Sequence, residues 1–205
     1  LLAIQCGANI DFDRLRYISE RTEVGEKREA ILAVTLDERP GSFKHFCKAL
    51  GKRTISEFNY RFSSTDQAQI FVGVKVTSDD DRFQLVSELS GGGYPVEDMT
   101  DSELAKSHIR HMVGGRSPQV GEEQVFRFEF PERPSALLNF LTELGDDLNI
   151  SMFHYRNHGS AFGKVLVGFL ASQTEGLKVK QFLDELGYRC EDETDNQAYR
   201  FFLGS

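Results

Sequence analysis

The stretch ISEFNYRF at residues 55–62 returns as ISMFHYRN at residues 150–157, identical at five of eight positions and 95 residues further on. LDERPGSFKHFCKALG (36–51) matches FPERPSALLNFLTELG (130–145) at an offset of 94, sharing Glu, Arg, Pro, Phe, Leu and Gly. GYPVEDMTD (93–101) matches GYRCEDETD (187–195) at that same offset. The phrases keep their order in each half. The 205-residue chain is therefore an internal duplication, and its fold must be one that about 90 residues can build and then build again.

Each copy has the order β-α-β-β-α-β. In the first, AILAVTL (30–36) is an apolar strand, and SFKHFCKALG (42–51) places Phe43, Phe46, Cys47 and Leu50 on one helical face. Gly51 stands where a C-terminal cap belongs. ISEFNYRF and AQIFVGVKV (68–76) alternate as strands about the turn SSTDQ (63–67). DDRFQLVSELSGGG (80–93) is a second helix whose glycines end it, and YPVED (94–98) is a short strand. The second copy repeats this with QVFRFEF (124–130), SALLNFLTELG (135–145), NISMFHYRN (149–157), GKVLVGFLA (163–171) and LKVKQFLDELG (177–187). HIRHMVGG (108–115), after a helix at DSELAKS (101–107), and AYRFFLGS (198–205) are predicted as tail strands.

The predicted class is α+β: two ferredoxin-like subdomains, 30–113 and 122–205, packed side by side by pseudo-twofold symmetry. Each has an antiparallel sheet with helices on one face, leaving the other face for a neighbour. Residues 114–121 form the linker. Residues 1–29 form a connector with a short helix in DFDRLRYISERTE (11–23), and a chain opening at Leu1 is expected to be excised from a longer polypeptide.

A net charge of −8 argues against a phosphate backbone as partner, since such a surface wants a basic face. No apolar run reaches the roughly 18 residues of a membrane helix. Cys6, Cys47 and Cys190 form neither a CxxC pair nor an even set, which fits reduced thiols in the cytoplasm. His108 and His111 are followed by no acidic or cysteine ligand, and no HExxH, GxSxG or Walker loop occurs, so no metal or catalytic residue is assigned.

Binding has better candidates. In ERPGS, Pro40 suits a first helical turn, Gly41 lets a ligand approach the backbone, and the helix start at Ser42 and Phe43 offers N–H groups to a carboxylate. The counterpart loop has Pro134, Ser135 and Ala136, with Ser135 in place of Gly41. On these residues alone, a plain turn is the slightly better account of RPG. In FNYR and FHYR, Arg61 or Arg156 could pair with a carboxylate, and Glu57 or Asn59 could accept from an ammonium group. Alternation puts Phe58 and Tyr60 on one face and Glu57, Asn59 and Arg61 on the other. The plainer account makes the aromatic pair core and the arginine a salt bridge.

EFNYRF, IFVGVKV, DMTDSELAKSHIRHMVGGR, FEFPERPSALLNFLTELG and NISMFHYRNHGS together closely resemble the C-terminal regulatory region of biosynthetic threonine ammonia-lyase (threonine deaminase). The resemblance covers nearly the whole chain, with HMVGGR and FHYRNHG its most specific phrases. It implies two ACT-like subdomains that sense isoleucine as feedback inhibitor and valine as its antagonist. It also implies a tetrameric parent enzyme using pyridoxal phosphate to convert threonine to 2-oxobutanoate and ammonia, with catalysis and cofactor in a domain outside this chain. The implied effector residues are those of the two loops and strands: Pro40, Gly41, Ser42, Phe43, Glu57, Asn59, Tyr60 and Arg61, then Pro134, Ser135, Ala136, Leu137, Leu138, Leu141, Phe153, His154, Tyr155 and Arg156. The competing expectation is an oligomerisation module that binds no small molecule.

Overall fold

In the computed structural model, which describes residues 15, 18, 28–112, 114–131, 135–145, 148–156, 162–185, 187–188 and 190–204, strand alternation dictates the layers. In β1 (Glu29–Asp37), Ala30, Leu32, Val34 and Leu36 face one side, and α1 (Ser42–Ala49) lays Phe43, Phe46 and Cys47 on them. β2 (Ile55–Arg61) and β3 (Gln67–Lys75) add Phe58, Tyr60, Ile70 and Val72 to this layer, and α2 (Asp79–Gly91) adds Leu85 and Leu89. Ser78 starts α2, its side chain accepting from the Asp81 N–H, and three aspartates in the first turn suit the helix dipole. β4 (Val96–Asp98) pairs with β1, and α3 (Glu103–Ser107) and a 3₁₀ turn (Ile109–His111) follow.

The second repeat runs β5 (Glu123–Pro131), α4 (Ala136–Leu144), β6 (Ile150–Arg156), β7 (Phe162–Leu170), α5 (Gln173–Glu185), β8 (Cys190–Asp192) and α6 (Gln197–Phe202). The predicted α+β class and the β-α-β-β-α-β order of each copy hold. Of the predicted connector 1–29, Leu15 and Ile18 are helical and half exposed, Glu29 is buried and already the first residue of β1, one residue earlier than predicted, and apart from Arg28 the rest lies outside the described residues.

The two expected sheets are one. All eight strands form a single antiparallel sheet in the order β4-β1-β3-β2-β6-β7-β5-β8. β2 and β6 join the halves, with Phe58 opposite Tyr155, Asn59 opposite His154 and Tyr60 opposite Phe153. Joining satisfies two strand edges that would otherwise present unpaired N–H and C=O groups. It also merges the cores: the Phe58 and Phe153 rings meet edge to face at 5.7 Å.

The predicted tail strands are also corrected. HIRHMVGG contains the 3₁₀ turn, and Gln197–Phe202 is a helix capped by Asn196, whose side chain accepts from the Ala198 N–H at 2.8 Å. The edge strands β4 and β8 are three residues each, which leaves little edge for a further strand. These segments cover the sheet's second face instead. Ala105 packs with Ile31, Phe71 and Met99 there, and the Tyr199 hydroxyl donates to Glu123 at 2.5 Å.

Both halves carry the same bulge. The register of β2 on β3 shifts between Ile55 and Glu57, and that of β6 on β7 between Ile150 and Met152. The bulges direct Ser56 and Ser151 at buried carboxylates, Glu29 and Glu123, to which their hydroxyls donate. Gly73 and Gly168 lie beneath. A Cβ on Gly168 would stand 2.7 Å from Glu123 Oε1 and 2.8 Å from Ser151 Oγ. Gly168→Ala is therefore expected to cost about 1–3 kcal/mol in urea unfolding, and adding Ser151→Ala should recover part of it. An unchanged midpoint in the single variant would contradict this packing.

Candidate functional site

The junction of β2 and β6 sets α1 and α4 side by side on the sheet, running in opposite directions, and leaves a cleft at each end of the pair. Each is a shallow cleft, half open to solvent, with about 20 Å³ of free space. Repeat one supplies Glu38, Pro40, Gly41 and Phe43 to the first cleft. Repeat two supplies Leu141, Leu144, Leu148 and Ile150 from the end of α4 and the start of β6. In the second cleft the roles reverse. Ser135, Ala136, Leu137 and Leu138 open α4, and Cys47, Thr54 and Ile55 come from the end of α1 and the start of β2, with Tyr155 beside them. That is room for about one water, so an amino acid enters only as the helix ends move apart.

Each cleft thus joins the N-terminus of one helix to the C-terminus of the other. Orphaned N–H groups and the positive dipole end face orphaned carbonyls and the negative end, across an aliphatic wall. Such a cleft suits a zwitterion with an apolar side chain. Gly41 takes the left-handed conformation at the start of α1 with φ 84°, and Ser135 takes it at the start of α4 with φ 67°. Among the described residues Ser135 is the one non-glycine with positive φ, and its Cβ carries the steric cost that Gly41 avoids. In the first cleft Glu38 accepts from the Tyr60 hydroxyl. Burial pushes the Glu38 carboxyl above the ordinary carboxylate range, against the lowering effect of that hydrogen bond. Burial and the same carboxylate push the Tyr60 hydroxyl up.

A larger hollow of about 380 Å³ lies within repeat one, lined mainly by polar and glycine residues including Asp37, Arg39, Ser42, His45 and Gly93. It has less aliphatic wall for a side chain such as the clefts offer.

Pro40, Gly41, Phe43 and Leu141 come together in the first cleft, and Ser135, Ala136, Leu137, Leu138 and Tyr155 in the second. Ser42 turns to the larger hollow, and Phe153 is core. Leu137 and Leu141, 4% and 3% exposed, are wall and core at once. Pro134 lies outside the described residues.

Glu57, Asn59, Arg61, His154 and Arg156 occupy the opposite face of the sheet and reach neither cleft. Arg61 forks onto Glu123 through both terminal nitrogens, donates to the Leu203 carbonyl at 2.7 Å and to the Gly115 carbonyl at 3.1 Å. It ties the linker, β5 and the chain's last turn to β2. Arg156 Nη1 lies 3.1 Å from His111 Nδ1.

Sequence reasoning missed the far walls of the clefts, notably Leu144, Leu148 and Ile150, because they come from the other repeat. It also missed the buried carboxylates Glu29 and Glu123. Their signal was present: they sit 94 residues apart, as the strand phrases do.

The model of the family described as the C-terminal regulatory domain of threonine dehydratase matches this chain twice, over residues 20–109 and 114–203. The biosynthetic L-threonine dehydratase of Escherichia coli is 51% identical over 204 residues, and that of Burkholderia multivorans 48% over 203, each covering 99% of this chain. The chloroplastic biosynthetic threonine dehydratase of Arabidopsis thaliana is 42% identical over 203 residues, again 99% of this chain. The chain spans 40% of the length of the two bacterial relatives and 34% of the plant one.

Arg61→Ala would leave the Glu123 carboxylate buried without its guanidinium. A loss of about 3–5 kcal/mol is expected in denaturant unfolding, and Arg61→Lys should restore only part, since lysine cannot make the fork. If Arg61 instead held an effector, its removal would abolish ligand response at unchanged stability.

Proposed function

We infer the function from one fact: the chain belongs to the family of C-terminal regulatory domains of threonine dehydratase, with the family's unit present twice. It is a regulatory region of the biosynthetic enzyme of isoleucine formation, and the clefts between α1 and α4 are its effector sites. Isoleucine acts there as inhibitor and valine as its antagonist. The observation that carries this reading is the pairing of opposite helix ends across an aliphatic wall, met twice at positions related by the duplication. Residues 30–113 and 122–205 serve as the two ACT-like subdomains.

The pyridoxal-phosphate-dependent conversion of threonine to 2-oxobutanoate and ammonia belongs to the part of the longer relatives that this chain does not span. The enzyme acts in the cytoplasm as a tetramer. Exposed Phe201 and Phe202, 66% and 73% accessible, support a place for this region in an assembly, because large exposed apolar side chains favour burial against a partner.

Valine and isoleucine differ by one methylene, worth about 0.8 kcal/mol of burial. Opposite effects from so small a difference need two sites or two states, and the clefts supply two inequivalent ones. Phe43 in the first stands where Leu137 stands in the second, and Leu141 where Cys47 stands.

Isoleucine at a hundred times its dissociation constant should add about 2.7 kcal/mol, raising the melting temperature by several degrees, and alanine and threonine should do less. Leu148→Phe, which fills the first cleft from a partly buried position, should weaken the isoleucine response at least tenfold with little change in the unliganded melting temperature. Flat melting curves across millimolar isoleucine and valine would favour an oligomerisation module instead.

A further inference from the structure

The face of the sheet opposite the clefts holds a second cluster, centred where β2 meets β6. The 3₁₀ turn Ile109–His111 crosses this face as a strap, and Arg110 descends from it between two buried carboxylates. Its Nη2 lies 3.3 Å from both oxygens of Glu29 on β1 and 2.7 Å from Oε1 of Glu57 on β2. The Asn59 side chain donates to the Arg110 carbonyl at 3.3 Å, so the strap is held by side chain and backbone together. Glu29 and Glu57 are 3% and 1% exposed.

The two carboxylates are not equally served. Glu29 also accepts from the Ser56 hydroxyl. Glu57 has one donor, the shared Arg110 Nη2 at 2.7 Å from Oε1, and its Oε2 has no hydrogen-bond partner among the described residues. Gly73 stands alongside with no side chain to donate. In the second repeat the matching position is Met152, which is fully buried and carries no charge. Glu57 is thus an acid where the duplicated fold accepts a neutral side chain of similar length.

We propose that the strap is a proton-operated latch: with Glu57 neutral, Arg110 seats on Glu29 and the strap stays closed, and loss of the Glu57 proton loosens it from the sheet. The charges acting on Glu57 are Arg110 on the strap, Glu29 on β1 and Arg156 on β6; Lys75 pairs with Glu29 and His154 with Asn59 on the neighbouring strands, and His108 and His111 flank Arg110 in the chain. Burial, only partly offset by a guanidinium shared with Glu29, makes the closed state bind the proton more tightly than an open, hydrated one. Burial raises the Glu57 carboxyl to about 7, with Arg110 opposing. An acid raised in the closed state favours closure at low pH; closure weakens as pH rises from the acid's ordinary value to about 7 and levels off above it. The strap runs directly into residues 114–117, whose carbonyls and side chains bind Arg61, Phe62 and α6, so its release frees the path between the repeats.

Amide hydrogen exchange over residues 108–116 of the full chain, corrected for intrinsic rates, tests this at pH 6 and pH 8. Protection of the strap should fall about tenfold over that interval in the wild type. Glu57→Gln, always neutral, should keep it protected and flat. Glu57→Met, copying the second repeat, serves the same purpose if the glutamine variant folds poorly. Equal pH dependence in the neutral variants would assign the effect to His108, His111 or His154 and overturn the latch. A wild-type strap equally protected at both values would overturn it as well.

Discussion

Five residue pairs between β2 and β6, from Glu57 with Arg156 to Arg61 with Met152, hold the two repeats as one body. The ladder converts two half-covered sheets into a continuous one, and Asn59 opposite His154 marks the pseudo-twofold axis. The candidate clefts are placed by it. The helices that follow β1 and β5 are forced together head to tail, which creates the clefts. On the other face the same pairing brings Arg61 to Glu123 and Arg156 beside Glu57.

The ladder also limits how an effector can act. A rotation of one repeat against the other, which pseudo-symmetry alone invites, would have to break backbone hydrogen bonds and open the Phe58–Phe153 contact. Each cleft instead spans the start of one helix and the end of its partner, so a ligand that enters there shifts the α1–α4 packing with the sheet intact. Coupling energies of about 1–3 kcal/mol are within reach of such a shift, since a few buried methylenes are worth as much.

Most of the fold is legible in the sequence because periodicity writes it there. Phe43, Phe46, Cys47 and Leu50 mark one helical face, and all four are buried. The duplication supplied the count of elements and their order. What local pattern could not supply is which strand of one repeat meets which strand of the other, because edge pairing is written in backbone groups common to all residues. That gap hid the merged sheet and the far wall of each cleft. Aromatic richness misled at AYRFFLGS, where a capping Asn196 and the reach of Tyr199 to Glu123 outweigh strand propensity. Alternation did separate Phe58 and Tyr60 from Glu57, Asn59 and Arg61. Grouping both sets into one site ignored that a sheet has two sides.

The central claim is that an aliphatic amino acid lies between the ends of α1 and α4. Intermolecular nuclear Overhauser contacts from carbon-13-labelled isoleucine to the protein's methyl groups test it most directly. The account predicts contacts to Leu144 and Leu148 in the first cleft or to Leu138 in the second. Contacts at saturation to Ile109 or Met112 on the opposite face, with none to those leucines, would contradict it.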